Sequence, residues 1–98
     1  MAMYLMNFSF TQQGMENVKD VPARVTAAKK IVKSMGGKVK AFYGILGADY
    51  DTMFILEAPD EESVAGMALA ISSLGNVRTS THRAFSEEEF GTLLSSLP

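Results

Sequence analysis

The stretch GADYDTMFILEAPD, residues 47–60, decides the fold of this 98-residue chain. It begins with a turn at residues 47–49 and continues as a β-prone run at residues 50–58. Pro59 and Asp60 then close the strand and can begin a helix. Residues 53–56 are all apolar, which is typical of a strand covered on both faces. The stretch therefore predicts a central strand that leads directly into a helix.

The remaining segments also alternate between predicted strands and predicted helices. Further strands are predicted at residues 2–10, 38–46 and 77–85, helices at residues 20–35, 60–74 and 86–97, and an irregular loop at residues 11–19. Buried helix stripes are predicted at Val21, Val25, Ala28, Val32 and Met35, and at Val64, Met67, Ala68, Ile71 and Leu74. Asp20 is expected to cap the first helix, and Ser86 with Glu89 has the spacing of a capping box.

The order of these elements is a split βαβ pattern, which predicts a single domain over residues 1–98. The fold class is α+β: a ferredoxin-like sandwich with a four-stranded antiparallel sheet and a short C-terminal helix. The first and third strands are the most apolar and are placed in the middle of the sheet. Charged residues on the other two strands suit exposed edges, because they oppose edge-to-edge pairing.

The two long helices of such a fold cover one face of the sheet, yet the central strands are apolar on both faces. Burying five or six side chains on the uncovered face would stabilise an assembly by about 1.5–3 kcal/mol each. The sequence therefore predicts a homodimer or higher homo-oligomer, built as a joint α+β barrel in which two sheets pack together.

Composition limits the other classes of function. The chain has no cysteine, which excludes disulfides and thiolate metal sites, and no metal site or cofactor is expected. It has no signal peptide pattern and no stretch near the ~20 apolar residues that span a bilayer, so a cytoplasmic protein without membrane contact is expected. Residues 1–40 carry seven Lys or Arg against two acids, and residues 41–98 carry two against nine. An acid pI of about 5.3 and lysines placed mainly on a helix argue against nucleic-acid binding.

Four short motifs carry a family resemblance: LGADYD (residues 46–51), EAPD (57–60), LGNVRT (74–79) and RAFS (83–86). With them the chain resembles the GYD-motif family of small bacterial proteins over residues 4–90. The resemblance implies a ferredoxin-like unit of the dimeric α+β barrel group and implies no particular reaction. Two features depart from the family pattern: both Ala48 and Asp49 separate the glycine from Tyr50, and His82 stands where the family tends to have an aliphatic residue.

Six residues are candidates for a site. Tyr50 and Asp51 are the catalytic candidates, because a phenol and a carboxylate at a strand end could donate a hydrogen bond and act as a general base. The candidates for ligand binding are Gly47, Tyr43, Phe54 and His82. The alternatives are structural: Asp51 can cap the turn, Tyr50 can mark the strand end, His82 can be a surface residue, and the aromatic residues can be core.

These residues lead to three functional hypotheses. The first is binding of a small organic molecule between the sheet and the helices, near the turn at residues 47–51. The second is a structural or regulatory protein-interaction module without catalysis. The third is a cofactor-free isomerase or monooxygenase of the dimeric barrel type, which would use Tyr50 and Asp51.

Overall fold

The structure, a computed structural model, describes residues 1–47 and 49–98. Ala48, which the sequence places in the turn before the third strand, lies outside the described residues. The elements are β1 (Ala2–Phe10), α1 (Gln12–Glu16), a 3-10 turn (Val18–Asp20), α2 (Val21–Ser34), β2 (Lys38–Gly44), β3 (Thr52–Ala58), α3 (Glu61–Ser72), β4 (Val77–Ala84) and α4 (Glu87–Ser95). Within the described residues, no helix combines the length and the apolar character that crossing a bilayer requires.

The strands form an antiparallel sheet in the order β2-β3-β1-β4. This order confirms the prediction that β1 and β3 lie in the middle and that β2 and β4 form the edges. In the register, Leu5 at the centre of β1 lies opposite Ile55 on one side and His82 on the other. The pairing of β2 with β3 contains a bulge between Val39 and Ala41, so that Lys40 stands outside the regular ladder.

One face of the sheet, here called the helix face, packs against α2 and α3. The core residues on this face and on the two helices are Tyr4, Met6, Phe8, Phe54, Leu56, Ala58, Ala28, Val32, Val64, Met67 and Ile71. Phe54 is fully buried at the centre, and its ring meets the rings of Phe8 and Phe42 edge to face, with centroids 5.1 and 5.9 Å apart. Such pairs add stability beyond the area that they bury.

Within residues 1–47 and 49–98, no helix packs against the opposite face of the sheet, here called the open face. Its central residues are Met3, Leu5, Asn7 and Ser9 of β1 with Met53, Ile55 and Glu57 of β3. Ala41 and Tyr43 of β2 and Ser80 and His82 of β4 continue it towards the edges. The central strands are therefore apolar on both faces, as the sequence predicts.

The prediction of an irregular loop at residues 11–19 is wrong, because this segment forms α1 and the 3-10 turn. The Thr11 side chain caps α1 by accepting a hydrogen bond from the Gly14 amide at 3.1 Å. The Thr11 hydroxyl also donates to the Gly75 carbonyl at 2.6 Å. Gly14 is needed for close packing, since a Cβ there would lie 2.0 Å from the Asn76 carbonyl oxygen. The glycine that suggested a loop is thus a point of close approach inside a helix.

Three smaller differences concern the ends of elements. β2 ends at Gly44 and β3 begins at Thr52, so the connection between them is longer than predicted. The Asp20 side chain makes no capping hydrogen bond at the start of α2. Leu74, predicted to be buried, follows the end of α3 and is 54% exposed.

Side chains cap the N-termini of the last two helices, and the cap of α4 is the capping box that the sequence predicts. The Asp60 carboxylate accepts from the Ser63 amide at 2.8 Å, and Ser86 and Glu89 form a complete capping box at the start of α4. The hydrogen bond from the Ser86 amide, and then the contact with Arg83, lower the pKa of Glu89. The stabilisation that this cap gives is therefore present at neutral pH and is lost as the pH falls through the lowered pKa.

Candidate functional site

The structure divides the predicted site residues between the two faces of the sheet. Phe54 lies on the helix face, whereas Tyr43 and His82 project from the open face. Gly47 has a φ of +76° in the connection between β2 and β3, where an added Cβ would meet nothing within 4 Å. The six residues therefore do not line one common pocket.

A cavity lies on the helix face, between the sheet and α2 and α3. Its volume is about 50 Å³, and its walls include Phe8, Phe54, Val25, Ala28 and Ile71. An apolar cavity of about 150 Å³ holds one benzene molecule. A cavity of this size therefore has no room for an aromatic ring unless the side chains around it move.

Arg24 contributes the charge at the wall of this cavity. Its guanidinium donates to the carbonyls of Asn17 and Gly14, each at 3.1 Å, and lies 5.7 Å from the centroid of the Phe10 ring. These contacts tie α2 to α1 and to the end of β1. The guanidinium is thus part of the framework that holds the N-terminal segment in place.

A chain of three polar side chains lies on the open face. The Tyr50 hydroxyl donates to Ser80 Oγ at 3.3 Å, and Ser80 Oγ lies 3.1 Å from His82 Nε2. Since Tyr50 donates the first hydrogen bond, the Ser80 hydroxyl hydrogen is available for the second. It can be donated to His82 Nε2 when the neutral imidazole carries its proton on Nδ1. The arrangement joins a phenol to an imidazole through one hydroxyl.

Tyr50 reaches Ser80 by crossing the central strand β1. Tyr50 precedes β3, which pairs with one side of β1, whereas Ser80 belongs to β4 on the other side. Asn7 lies opposite Ser80 in the register and is only 9% exposed, although it is on the open face. The polar chain thus lies over an almost fully buried amide, beside the apolar residues Leu5 and Met53 of the same face.

Asp51 is held by the backbone of β1. Its carboxylate accepts a hydrogen bond from the Phe10 amide at 2.8 Å, and its own amide donates to the Phe8 carbonyl at 2.8 Å. The Asp51 carbonyl also accepts from the Ile45 amide at 2.9 Å. Asp51 therefore links the end of β1 to the connection between β2 and β3.

Ser80 and Asn7 are the residues of this site that the sequence does not single out. Alternation along β4 places Ser80 on the same face as His82, but its contact with Tyr50 joins residues 30 positions apart, for which the sequence gives no signal. Among residues 1–47 and 49–98, no cluster of three His, Asp or Glu side chains is placed to hold a metal ion.

The model of the GYD domain matches residues 4–94, nearly the whole chain. The chain belongs to the GYD domain family. A relative from Thermus thermophilus, named glutamine synthetase and cystathionine beta-lyase binding protein, is 31% identical over 85 residues, which are 86% of this chain and 88% of that protein.

Two solved structures share the fold. The crystal structure of TTHA0845 from Thermus thermophilus matches with a TM-score of 0.56 and 23% identity, covering 88% of this GYD domain chain and 95% of that chain. The second is TftG, a 5-chloro-2-hydroxyhydroquinone dehydrochlorinase from Burkholderia phenoliruptrix AC1100, in complex with 2,5-dihydroxybenzoquinone. It matches with a TM-score of 0.60 and 16% identity, covering 88% of this chain and 96% of that chain. These similarities confirm the predicted fold class, a ferredoxin-like α+β unit with a four-stranded antiparallel sheet.

The hydrogen bonds of Asp51 lead to a prediction about its role. Replacing Asp51 with Ala leaves the Phe10 amide without its acceptor, so the free energy of unfolding should fall by about 1–3 kcal/mol. Asp49→Ala is the matched control, because Asp49 accepts a hydrogen bond from Ser9 through its backbone carbonyl, which the substitution keeps. Its effect should stay within about 0.5 kcal/mol. Urea denaturation measures both, and an Asp51→Ala protein as stable as the control would contradict the structural role.

Proposed function

We propose that this GYD domain protein is a regulatory protein-interaction module that works as a homodimer and has no catalytic step of its own. The observation that supports this proposal is its surface. The chain exposes 6357 Å², whereas a folded monomer of 10.6 kDa is expected to expose about 5,500 Å². The excess of about 900 Å² is close to the ~800 Å² that each partner buries in a typical specific interface.

The open face is the surface that suits a second copy. Its centre is formed by Met3, Leu5, Met53 and Ile55, which are partly exposed in the single chain. Packing two open faces together would bury these side chains, each contributing about 1.5–3 kcal/mol at full burial. Lys40 and Glu57 form a 3.6 Å ion pair on this face, so the polar residues of the face are partly neutralised within the chain.

A charge at the centre of the open face should therefore prevent dimerisation. Ile55→Glu would place a carboxylate opposite Leu5, where a second sheet would desolvate it. We expect its dimer dissociation constant to rise at least about tenfold, which corresponds to 1.4 kcal/mol. Sedimentation equilibrium measures this constant, and circular dichroism checks the fold. Leu69→Glu is the control, because Leu69 is 72% exposed on the outer side of α3 and should leave the dimer intact. An equally dimeric Ile55→Glu protein would contradict this interface.

Packing through the open faces leaves the outer surface of α2 accessible to a protein partner. Lys29, Lys30 and Lys33 are all exposed on this helix and give it a local positive charge in a chain that is acidic overall. A basic patch favours encounter with an acidic surface. The name of the 31% identical Thermus relative supports enzymes as the partners, and we extend that property to this chain.

The partner proposal is tested with purified glutamine synthetase and cystathionine beta-lyase from the host of this protein. We expect one of them to bind at micromolar concentration or tighter in biolayer interferometry. The triple variant Lys29→Glu, Lys30→Glu and Lys33→Glu should reduce the association rate, because rim charges act mainly on encounter. Lys19 lies outside α2, so the control variant Lys19→Glu should change the association rate little. If neither enzyme binds, the extension from the relative is wrong.

A second candidate function is the binding of a small organic molecule. The sequence places this site between the sheet and the helices near the turn at residues 47–51, but the small volume of that cavity favours the open face instead. There, the chain Tyr50–Ser80–His82 offers hydrogen-bonding atoms beside apolar side chains, the combination that binding sites for small molecules use. The isomerase or monooxygenase hypothesis needs Tyr50 and Asp51 as hydrogen-bond donor and general base, but the Asp51 carboxylate already accepts a hydrogen bond from the Phe10 amide at 2.8 Å.

The small-molecule candidate predicts a specific response of His82, the only histidine of the chain. Phenol has a hydroxyl group on a flat apolar ring. In an NMR titration it should shift the imidazole resonances of His82, and the shift should reach a plateau as the phenol concentration rises. Toluene, which lacks the hydroxyl, should not. Ser80→Ala should abolish the shift, since it removes the link between Tyr50 and His82. Equal responses to phenol and toluene would remove this candidate.

A further inference from the structure

Resting on the small-molecule candidate above, we propose that the open face binds a small aromatic acid that also carries a hydroxyl group. Arg78 and Asn7 would hold the carboxylate of this ligand, and the polar chain Tyr50–Ser80–His82 would receive the hydroxyl group. The site is formed by one chain, at the border of the open face, and leaves the apolar centre of that face to the second copy.

Four neighbouring residues, here called the polar corner, form one block of the open face. Asn7 and Ser9 of β1 lie opposite Ser80 and Arg78 of β4 in the antiparallel register. Residues two apart on a strand project from the same face of a sheet, so the four side chains are neighbours there. Because β4 is an edge strand, the polar corner lies at the border of the open face and not at its apolar centre.

Asn7 contributes a buried amide that lacks a hydrogen-bond partner. The residue is 9% exposed, and within residues 1–47 and 49–98 its side chain takes part in no hydrogen bond. An amide that is withdrawn from water without a partner costs free energy, and a group that pairs with it recovers part of that cost. A carboxylate only accepts hydrogen bonds, so it can pair with the N–H groups of Asn7. The polar corner therefore favours a ligand with an acceptor at this point.

Arg78 contributes a positive charge beside this amide, and it is exposed. The two ion pairs of the described residues join Lys40 to Glu57 and Arg83 to Glu89, so neither engages Arg78. A planar guanidinium can bind a carboxylate through two parallel hydrogen bonds, which fixes the direction of the ligand. An exposed guanidinium next to a buried amide without a partner is thus suited to an organic acid.

Two acids precede β3 near the polar corner, and neither forms an ion pair with Arg78. Asp51 uses its carboxylate to accept a hydrogen bond from the Phe10 amide at 2.8 Å. Asp49 contacts the corner through its backbone carbonyl, which accepts a hydrogen bond from the Ser9 hydroxyl at 3.0 Å. Arg78 is therefore available to a carboxylate from outside the chain.

The polar chain supplies the second anchor of the ligand. His82 lies four residues after Arg78 on β4, about 13 Å away along the strand, with Ser80 between them. A benzene ring with a carboxylate at one end and a hydroxyl group at the other suits a site that has a cation and an imidazole at its two ends. The partly exposed Tyr50 ring and Leu5, which lies opposite His82, offer apolar contact to that ring. Leu5 also belongs to the apolar centre, so the ligand and the second copy would meet at this residue.

The test compares two compounds of similar shape at neutral pH, 4-hydroxybenzoate and its uncharged methyl ester. NMR titration of the His82 imidazole resonances gives the dissociation constant of each compound. Arg78→Gln removes the charge of the proposed anchor, and Asn7→Asp replaces the amide by a carboxylate of the same size. Lys38→Gln is the matched control, because Lys38 is exposed on β2, at the opposite edge of the sheet. Circular dichroism checks that each variant keeps the fold.

We expect the acid to bind at least about fivefold more tightly than the ester, because a charge-assisted hydrogen bond is stronger than a neutral one. Arg78→Gln should remove this difference, and Lys38→Gln should keep it. Asn7→Asp should weaken binding of the acid more than binding of the ester, because two carboxylates repel each other.

Equal affinity of the wild-type protein for acid and ester would overturn the aromatic acid and leave the small-molecule candidate standing. A preference for the acid that survives in Arg78→Gln would overturn the assignment of its carboxylate to the polar corner. If neither these two compounds nor phenol produces a shift that reaches a plateau, both the aromatic acid and the small-molecule candidate are wrong.

Discussion

The structure depends on one constraint: the two central strands have two apolar faces, and the helices of the chain cover only one of them. β1 and β3 carry apolar side chains on both faces, but α2 and α3 cover only one of those faces. On the covered face, Phe54 and Leu56 are fully buried, and the cavity that Phe54 lines has a volume of only about 50 Å³. Apolar surface on the other face stays in contact with water until another element covers it, which makes self-association the most direct way to stabilise the fold.

The same constraint changes where chemistry can take place. A tightly packed helix face has little space for a ligand, while the open face combines apolar residues with the polar chain Tyr50–Ser80–His82. Groups of this kind gain strength when water is excluded from them. A site on the open face would therefore depend on the state of assembly, and its properties would be those of the pair and not of one chain.

Much of the fold could be predicted from the sequence, because it is encoded in short-range patterns. Apolar alternation, helical stripes and the Ser86 capping box are local, and they gave the order of elements and the central strands correctly. The segment at residues 11–19 could not be predicted, since Gly14 is required by the distant Asn76 carbonyl. The contacts of the site depend on the order of the strands and on the Tyr50 side chain, which crosses β1. No pattern of residue spacing predicts the hydrogen bond between Tyr50 and Ser80.

The bulge in β2 has a consequence for the size of any assembly. An edge strand with regular spacing offers its free amides and carbonyls to further strands, and repeated addition produces open-ended ribbons. The displaced residue between Val39 and Ala41 interrupts that spacing, and Lys38 and Lys40 bring positive charge to the same border. Association along this edge is thereby discouraged, so the edge of β2 does not favour open-ended growth into a fibre.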